Sequence, residues 1–223
     1  MRLRNHGLSI FFGALFALAI IGQSIAGLFE YNEEQTVHGA SPVSWGEFVT
    51  SSEFVVDVAE NWQSEYLQFF LFIFATIWLV QKGSPESKKP GDEGLGSDKE
   101  QLVRKHARPD SPMWAKVSDW RHTVFSNSLL IVMGAIFLLA WTAQALSGLV
   151  VYNAEQVEHG ESVIALGEYL VSADFWNRTL QNWQSEFLAV GSMIALSIYL
   201  RQRGSPESKL VGAPHEETAA APE

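Results

Sequence analysis

The sequence predicts an all-α fold, an integral membrane four-helix bundle made of two tandem parallel helical-hairpin repeats. Three observations predict it: an internal duplication, long uncharged apolar runs, and a sorting of basic and acidic residues into alternate segments. The duplication is the most specific. Tyr31-Asn32 recurs as Tyr152-Asn153, His38-Gly39 as His159-Gly160, and Asn61-Trp62-Gln63-Ser64-Glu65 as Asn182-Trp183-Gln184-Ser185-Glu186. Gly83-Ser84-Pro85-Glu86-Ser87-Lys88 recurs as Gly204-Ser205-Pro206-Glu207-Ser208-Lys209. The offset is always 121 (152 − 31, 204 − 83), and 13–88 matches 134–209 without a gap at 35 of 76 positions. Self-similarity at one fixed spacing marks two copies of one supersecondary unit.

The first repeat occupies 1–89, with spans at about 8–29 and 65–81. A cytoplasmic linker, 90–121, carries a short amphipathic segment. The second repeat occupies 122–209, with spans at about 129–152 and 185–200. The tail, 210–223, is rich in Ala, Pro and Glu and is expected to be disordered. Residues 8–29 carry no formal charge, and 22 helical residues cover roughly 33 Å, enough for the hydrocarbon core of a bilayer. The return spans are shorter and are led by Trp62 and Trp183, placed as interfacial anchors. Arg2, Arg4 and Ser24-Ile25-Ala26 also fit a signal peptide. The copy of that stretch, 143–148, lies deep inside the chain and reads as a span, so the first run is read as a span too.

Charge sets the orientation. Residues 30–65 contain no Lys or Arg and eight acidic residues, and the equivalent second stretch has one basic residue, Arg178. Lys and Arg gather at the termini and in the linker. By the positive-inside rule those segments are cytoplasmic and the two acidic loops lie outside. The expected location is the bacterial cytoplasmic membrane, multi-pass, with N and C termini inside. Two spans per repeat give both repeats the same orientation.

Helix ends follow from local chemistry. Glu34 and His38 are an i, i+4 pair before Gly39, so the first helix runs from about 7 to 38. Glu155, His159 and Gly160 repeat the device. Ser51 and Ser172 are N-caps for the return helices, with Glu53 and Asp174 in the first turn. Short interfacial helices are expected at 43–50 and 164–171. The segment 89–110, rich in Gly, Asp, Lys and Pro, reads as a flexible linker, and Trp114 and Trp120 anchor an amphipathic helix at 114–121.

Composition excludes several function classes. The chain has no cysteine, which rules out disulfides and thiolate metal sites. Its net charge of −10 argues against a nucleic-acid partner. No nucleophile-elbow, zinc-protease or phosphate-loop motif is present. The apolar runs hold no His for haem ligation. No cofactor, catalytic residue or enzymatic activity is expected.

Two residue groups remain as candidate sites. Asn61 and Glu65, repeated as Asn182 and Glu186, share a helix face, and Gln23 and Gln144 lie inside spans. Polar side chains in spans face the bundle interior, so these six are a candidate outward-facing polar cluster for a cation, a proton or a polar ligand. The structural reading, amides that glue helices together and interfacial carboxylates, has the larger weight. Glu34, His38, Glu155 and His159 form a second candidate, for a divalent metal or pH sensing, against the more usual role of a helix-terminal His as a capping group. Gly22, Ala26, Ala143 and Ser147 are read as packing positions, and Gly-Ser-Pro-Glu-Ser-Lys as a helix stop and turn.

Asn182 to Leu188, followed by Gly204 to Lys209, resembles an uncharacterised family of small bacterial four-helix membrane proteins, a domain of unknown function. The resemblance implies a bacterial inner-membrane location and carries over no activity, cofactor or site residue. The expected function is a non-enzymatic membrane component acting through helix packing and surface interactions. Its expected partners are the lipid bilayer and a homo-oligomer or another membrane protein. The alternative is a small carrier, channel or ligand/proton sensor using the polar cluster.

Overall fold

The computed structural model describes residues 3–218, and among them all regular structure is helical. Seven α-helices follow in order: α1 (Gly7–Val37), α2 (Trp45–Val49), α3 (Ser52–Trp78), α4 (Trp120–Ser126), α5 (Ser128–Glu158), α6 (Leu166–Tyr169) and α7 (Ala173–Tyr199). Arg2 and the expected disordered tail beyond residue 218 lie outside the described residues.

The helix ends sit where local chemistry puts them. Gly39 and Gly160 both adopt φ +74°. The Gly39 amide bonds the Thr36 carbonyl and the Ala40 amide bonds Gln35, a Schellman closure repeated by Gly160 with Val157 and Glu161 with Gln156. Ser51 Oγ accepts the Phe54 amide at 3.3 Å and Ser172 Oγ accepts the Phe175 amide at 3.2 Å, which start α3 and α7. At α2, Ser44 and Glu47 form a reciprocal capping box. The amide and hydroxyl of Ser44 hold the Glu47 carboxyl below its ordinary range. Ala165 has no hydroxyl, so α6 keeps only half of that box, the Ala165 amide donating to Glu168 at 2.8 Å.

The acidic loop of each copy is fastened to its own hairpin by the same two contacts. Asn32 exchanges hydrogen bonds with the backbone of Val43 at 2.7 and 3.0 Å, and Asn153 repeats them with Ile164 at 2.9 and 3.0 Å. Phe48 then packs on Gly27, and Tyr169 on Gly148, each ring buried. A Cβ at Gly27 would lie 2.8 Å from the Phe48 ring, and one at Gly148 would lie 2.4 Å from the Tyr169 hydroxyl. Glycine is used here because the aromatic ring occupies the space of its missing side chain. Tyr169 also donates to Asp174 at 2.9 Å, a bond Phe48 lacks the hydroxyl to make.

The described residues form two compact units, one from Met1–Ala59 and Thr142–Phe175, the other from Glu60–Trp141 and Trp176–Glu223. Each draws on both sequence copies. In the second unit the two Gly-Ser-Pro-Glu-Ser-Lys turns fold alike. Ser87 Oγ accepts the Gln81 amide at 2.7 Å and Ser208 Oγ accepts the Gln202 amide at 2.8 Å. Lys88 donates to the Gly94 carbonyl, while the Gly94 amide takes the Ile77 carbonyl at the end of α3 at 2.7 Å. Buried Lys209 donates to the carbonyls of Gly83, His215 and Glu217 at 2.6, 2.9 and 3.1 Å. Thr218 Oγ1 accepts the Gly83 amide at 2.8 Å, so 210–218 is tied back to the first turn. The retained motif is thus a hydrogen-bonded turn whose serines replace helix partners.

One expectation needs correction. The amphipathic helix expected at 114–121 is instead a 3-10 turn at Met113–Ala115 followed by α4. Asp119 starts α4 because its carboxylate accepts the Arg121 amide at 2.9 Å. Among the described residues, α1 and α5 are the two helices long and apolar enough to cross a membrane. α3 and α7 are 27 residues each, but their first halves carry Glu53, Asp57, Glu60 and Glu65, or Asp174, Arg178 and Glu186.

Substituting Gly148→Ala forces a buried ring to move and is expected to cost about 1–3 kcal/mol. Gly13→Ala meets open space and should leave stability unchanged or raise it by a few tenths of a kcal/mol, since Ala is the better helix former. Thermal unfolding of both variants in detergent checks the difference.

Candidate functional site

α3 and α7 meet along a seam of polar side chains. Their first halves place Glu60, Gln63 and Ser64 on one helix against Arg178, Thr179 and Trp183 on the other. Gln63 and Thr179 are wholly buried and Ser64 nearly so. Buried polar groups need partners, and the seam supplies them. The Trp183 indole N–H donates to Gln63 Oε1 at 2.7 Å, and Gln63 Nε2 donates to the Glu60 carbonyl at 3.1 Å. Arg178 and Glu60 form an ion pair at 3.6 Å, with side chains 30% and 19% exposed. Ser64 donates to the Asn61 carbonyl at 2.8 Å, which spends its hydroxyl within α3. The paired positions rise together, 60 with 178 and 63 with 183, so α3 and α7 run in the same direction.

An aromatic cluster flanks the seam. Trp183 lies 6.0 Å from Trp141 and 6.5 Å from Trp176, and Trp141 lies 6.3 Å from Trp176. Phe137 and Phe187 extend the cluster at 5.5 and 6.4 Å. Edge and tilted arrangements dominate, as ring quadrupoles prefer.

The six residues of the polar cluster divide between the two units. Gln23 and Gln144 belong to the first unit and differ sharply, Gln23 exposed and Gln144 wholly buried. The other four belong to the second unit. Asn61 and Glu65 are exposed, while Asn182 and Glu186 are half-buried. Asn182 turns its amide to the Arg178 carbonyl of its own helix at 2.9 Å. Glu65 and Glu186 sit at matching positions of α3 and α7, both in the second unit.

Glu34, His38, Glu155 and His159 all sit exposed at helix ends in the first unit. His159 Nδ1 lies 2.8 Å from the Glu155 carbonyl, so its ring serves the last turn of α5. Among the described residues no three His, Asp or Glu side chains converge as a metal-ligand group.

Sequence reasoning missed Gln63, Glu60, Arg178 and Thr179 as seam residues. A signal was present for two of them. Gln63 is the centre of the repeated Asn-Trp-Gln-Ser-Glu motif, and Arg178 is the one basic residue of its acidic stretch. Trp183, read as an interfacial anchor, donates its indole N–H to Gln63 within the seam.

These features define an all-helical protein with two long apolar helices and a polar seam between two others. The chain belongs to the DUF6766 family, a domain of unknown function, whose model matches residues 1–220. No curated protein and no solved structure matches the chain.

Gln63→Leu leaves a buried indole N–H without its acceptor, and Trp183→Phe removes that donor. Each is expected to destabilise by about 1–3 kcal/mol, and the double variant by less than the sum. A double-mutant cycle on chemical unfolding in detergent checks the coupling.

Proposed function

We propose that the chain is a non-enzymatic component of the bacterial cytoplasmic membrane, acting through helix packing and through its two polar surfaces. The observation that carries this reading is the exposure of α1 and α5. Leu8, Phe12, Leu18 and Phe29 on α1, and Leu129 and Leu139 on α5, are each more than half exposed. Apolar surface of that extent along 31-residue helices is stable against hydrocarbon and costly in water. The seam supports the same reading, because the Trp183–Gln63 hydrogen bond and the Arg178–Glu60 ion pair join two helices, as polar groups that glue membrane helices do. In this reading α3 and α7 cross the bilayer as well. Their charged first turns project beyond the outer surface, with the acidic loops outside and both termini inside. A second copy or another membrane protein is the natural partner for the apolar faces.

A second reading is favoured by one observation, the Glu65–Glu186 pair. Glu65 and Glu186 stand at matching positions of the repeated motif, and on this reading their carboxylate oxygens offer ligands to a cation. On this reading the protein is a small carrier, channel or ligand/proton sensor.

One experiment tests the topology both readings share, and a second separates them. Alkaline phosphatase fused after Gly39 or Gly160 should be active and fused after Lys89 inactive, and the chain should resist carbonate extraction. Activity at Lys89, or extraction without detergent, would overturn the membrane topology. Proton and cation flux into proteoliposomes should be the same for wild type and for the double variant Glu65→Gln, Glu186→Gln. A flux that the double variant abolishes establishes the second reading instead.

A further inference from the structure

We propose that the surface formed by the Met113–Ala115 turn and α4 is a docking site for anionic lipid headgroups. It rests on the membrane reading above and goes beyond it by assigning a lipid class to a defined patch. Three observations lead there.

The first is an exposed apolar and aromatic face. Met113, Trp114, Trp120, Val124 and Phe125 are all exposed, Trp120 at 67%. The 3-10 turn packs on α4, and Trp114 meets Trp120 edge-on at 5.9 Å, which fixes the two indoles side by side. Indole rings of this kind partition to the headgroup level of a bilayer.

The second is charge. Residues 104–122 carry five basic side chains and two acidic ones, a net +3 (5 − 2) in a chain of net −10. Arg121 is paired with Asp119 at 2.7 Å, and Arg104 with Asp98 just outside the segment at 3.1 Å. Lys105, Arg108 and Lys116 are exposed, against Asp110 alone. Lys116 also donates to the Pro109 carbonyl at 2.7 Å, which keeps its ammonium close to the patch. A juxtamembrane basic segment with aromatic anchors is complementary to an anionic leaflet.

The third is continuity. α4 ends at Ser126 and α5 begins at Ser128. The Asn127 amide bonds Val124 at 3.3 Å and the Ile131 amide bonds Asn127 at 2.9 Å, so no slack separates them. If α5 crosses a bilayer, the patch must lie at its boundary.

The chain has no cysteine, so single labels are simple to place. NBD is attached to Val124→Cys, or to Leu139→Cys within α5 as a reference. Each labelled protein is reconstituted into vesicles of phosphatidylcholine alone or mixed with phosphatidylglycerol. The label at 124 should be quenched by brominated lipid far more strongly in the anionic vesicles, and salt should reverse the effect. Neutralising Lys105, Arg108 or Lys116 to Gln should weaken retention about fivefold each. The label at 139 should be quenched equally in both vesicles. Equal quenching at 124 in both, with 139 in lipid, overturns the docking site and leaves the membrane reading intact. Salt-insensitive burial at 124 that depends on protein density assigns the face to a second copy and also overturns it. A label at 139 that stays in water overturns the membrane reading itself.

Discussion

Polar groups on apolar helices need a partner when they leave water, and that constraint organises this structure. α3 and α7 begin with charged and amide-bearing turns and end with apolar ones. They can pack only if their polar residues face each other. Gln63 between the Trp183 indole and the Glu60 backbone, with Arg178 beside Glu60, meets that demand. Removing one member leaves a buried donor or charge behind, which is why such pairs cost more to break than they contribute when made.

The two copies solve the same local problems alike and the long-range ones differently. The Asn32 and Asn153 clamps, the Gly27 and Gly148 ring contacts and the serine turns recur because each is closed within a few dozen residues of one chain segment. At the seam the copies diverge. Trp141, Trp176 and Arg178 stand where the first copy has Ile20, Val55 and Asp57. The aromatic cluster therefore exists once. Gln63 is buried while its counterpart Gln184 is exposed, and Gln144 is buried while Gln23 is exposed. Identical side chains thus acquire different surroundings, so a repeated motif does not by itself make two equivalent sites.

The link from this architecture to function runs through surfaces. α1 and α5 present apolar side chains outward, the loops between the long helices are acidic, and the segment before α5 is basic and aromatic. In the proposed topology these surfaces correspond to hydrocarbon, water outside and the headgroup layer inside. The proposed role as a membrane component follows from this sorting, and the Glu65–Glu186 pair is the place where a proton or cation function would reside.

Much of the fold was legible in the residues. The ends of α1, the Ser51 and Ser172 caps and the short helices α2 and α6 all follow from contacts between near neighbours in sequence, and their boundaries agree with the structure to within a few residues. α4 was misplaced because Asp119, six residues into the expected helix, is a better N-cap than the residues before Trp114. The seam was not legible. A Gln at the centre of a motif reads the same whether it faces lipid, water or an indole 120 residues away. By itself the sequence determined helical class, duplication, helix ends and charge sorting, since hydrophobic periodicity and capping act locally. Only the tertiary structure decided which copy buries its Gln and which Trp donates to it, because those depend on how distant helices pack.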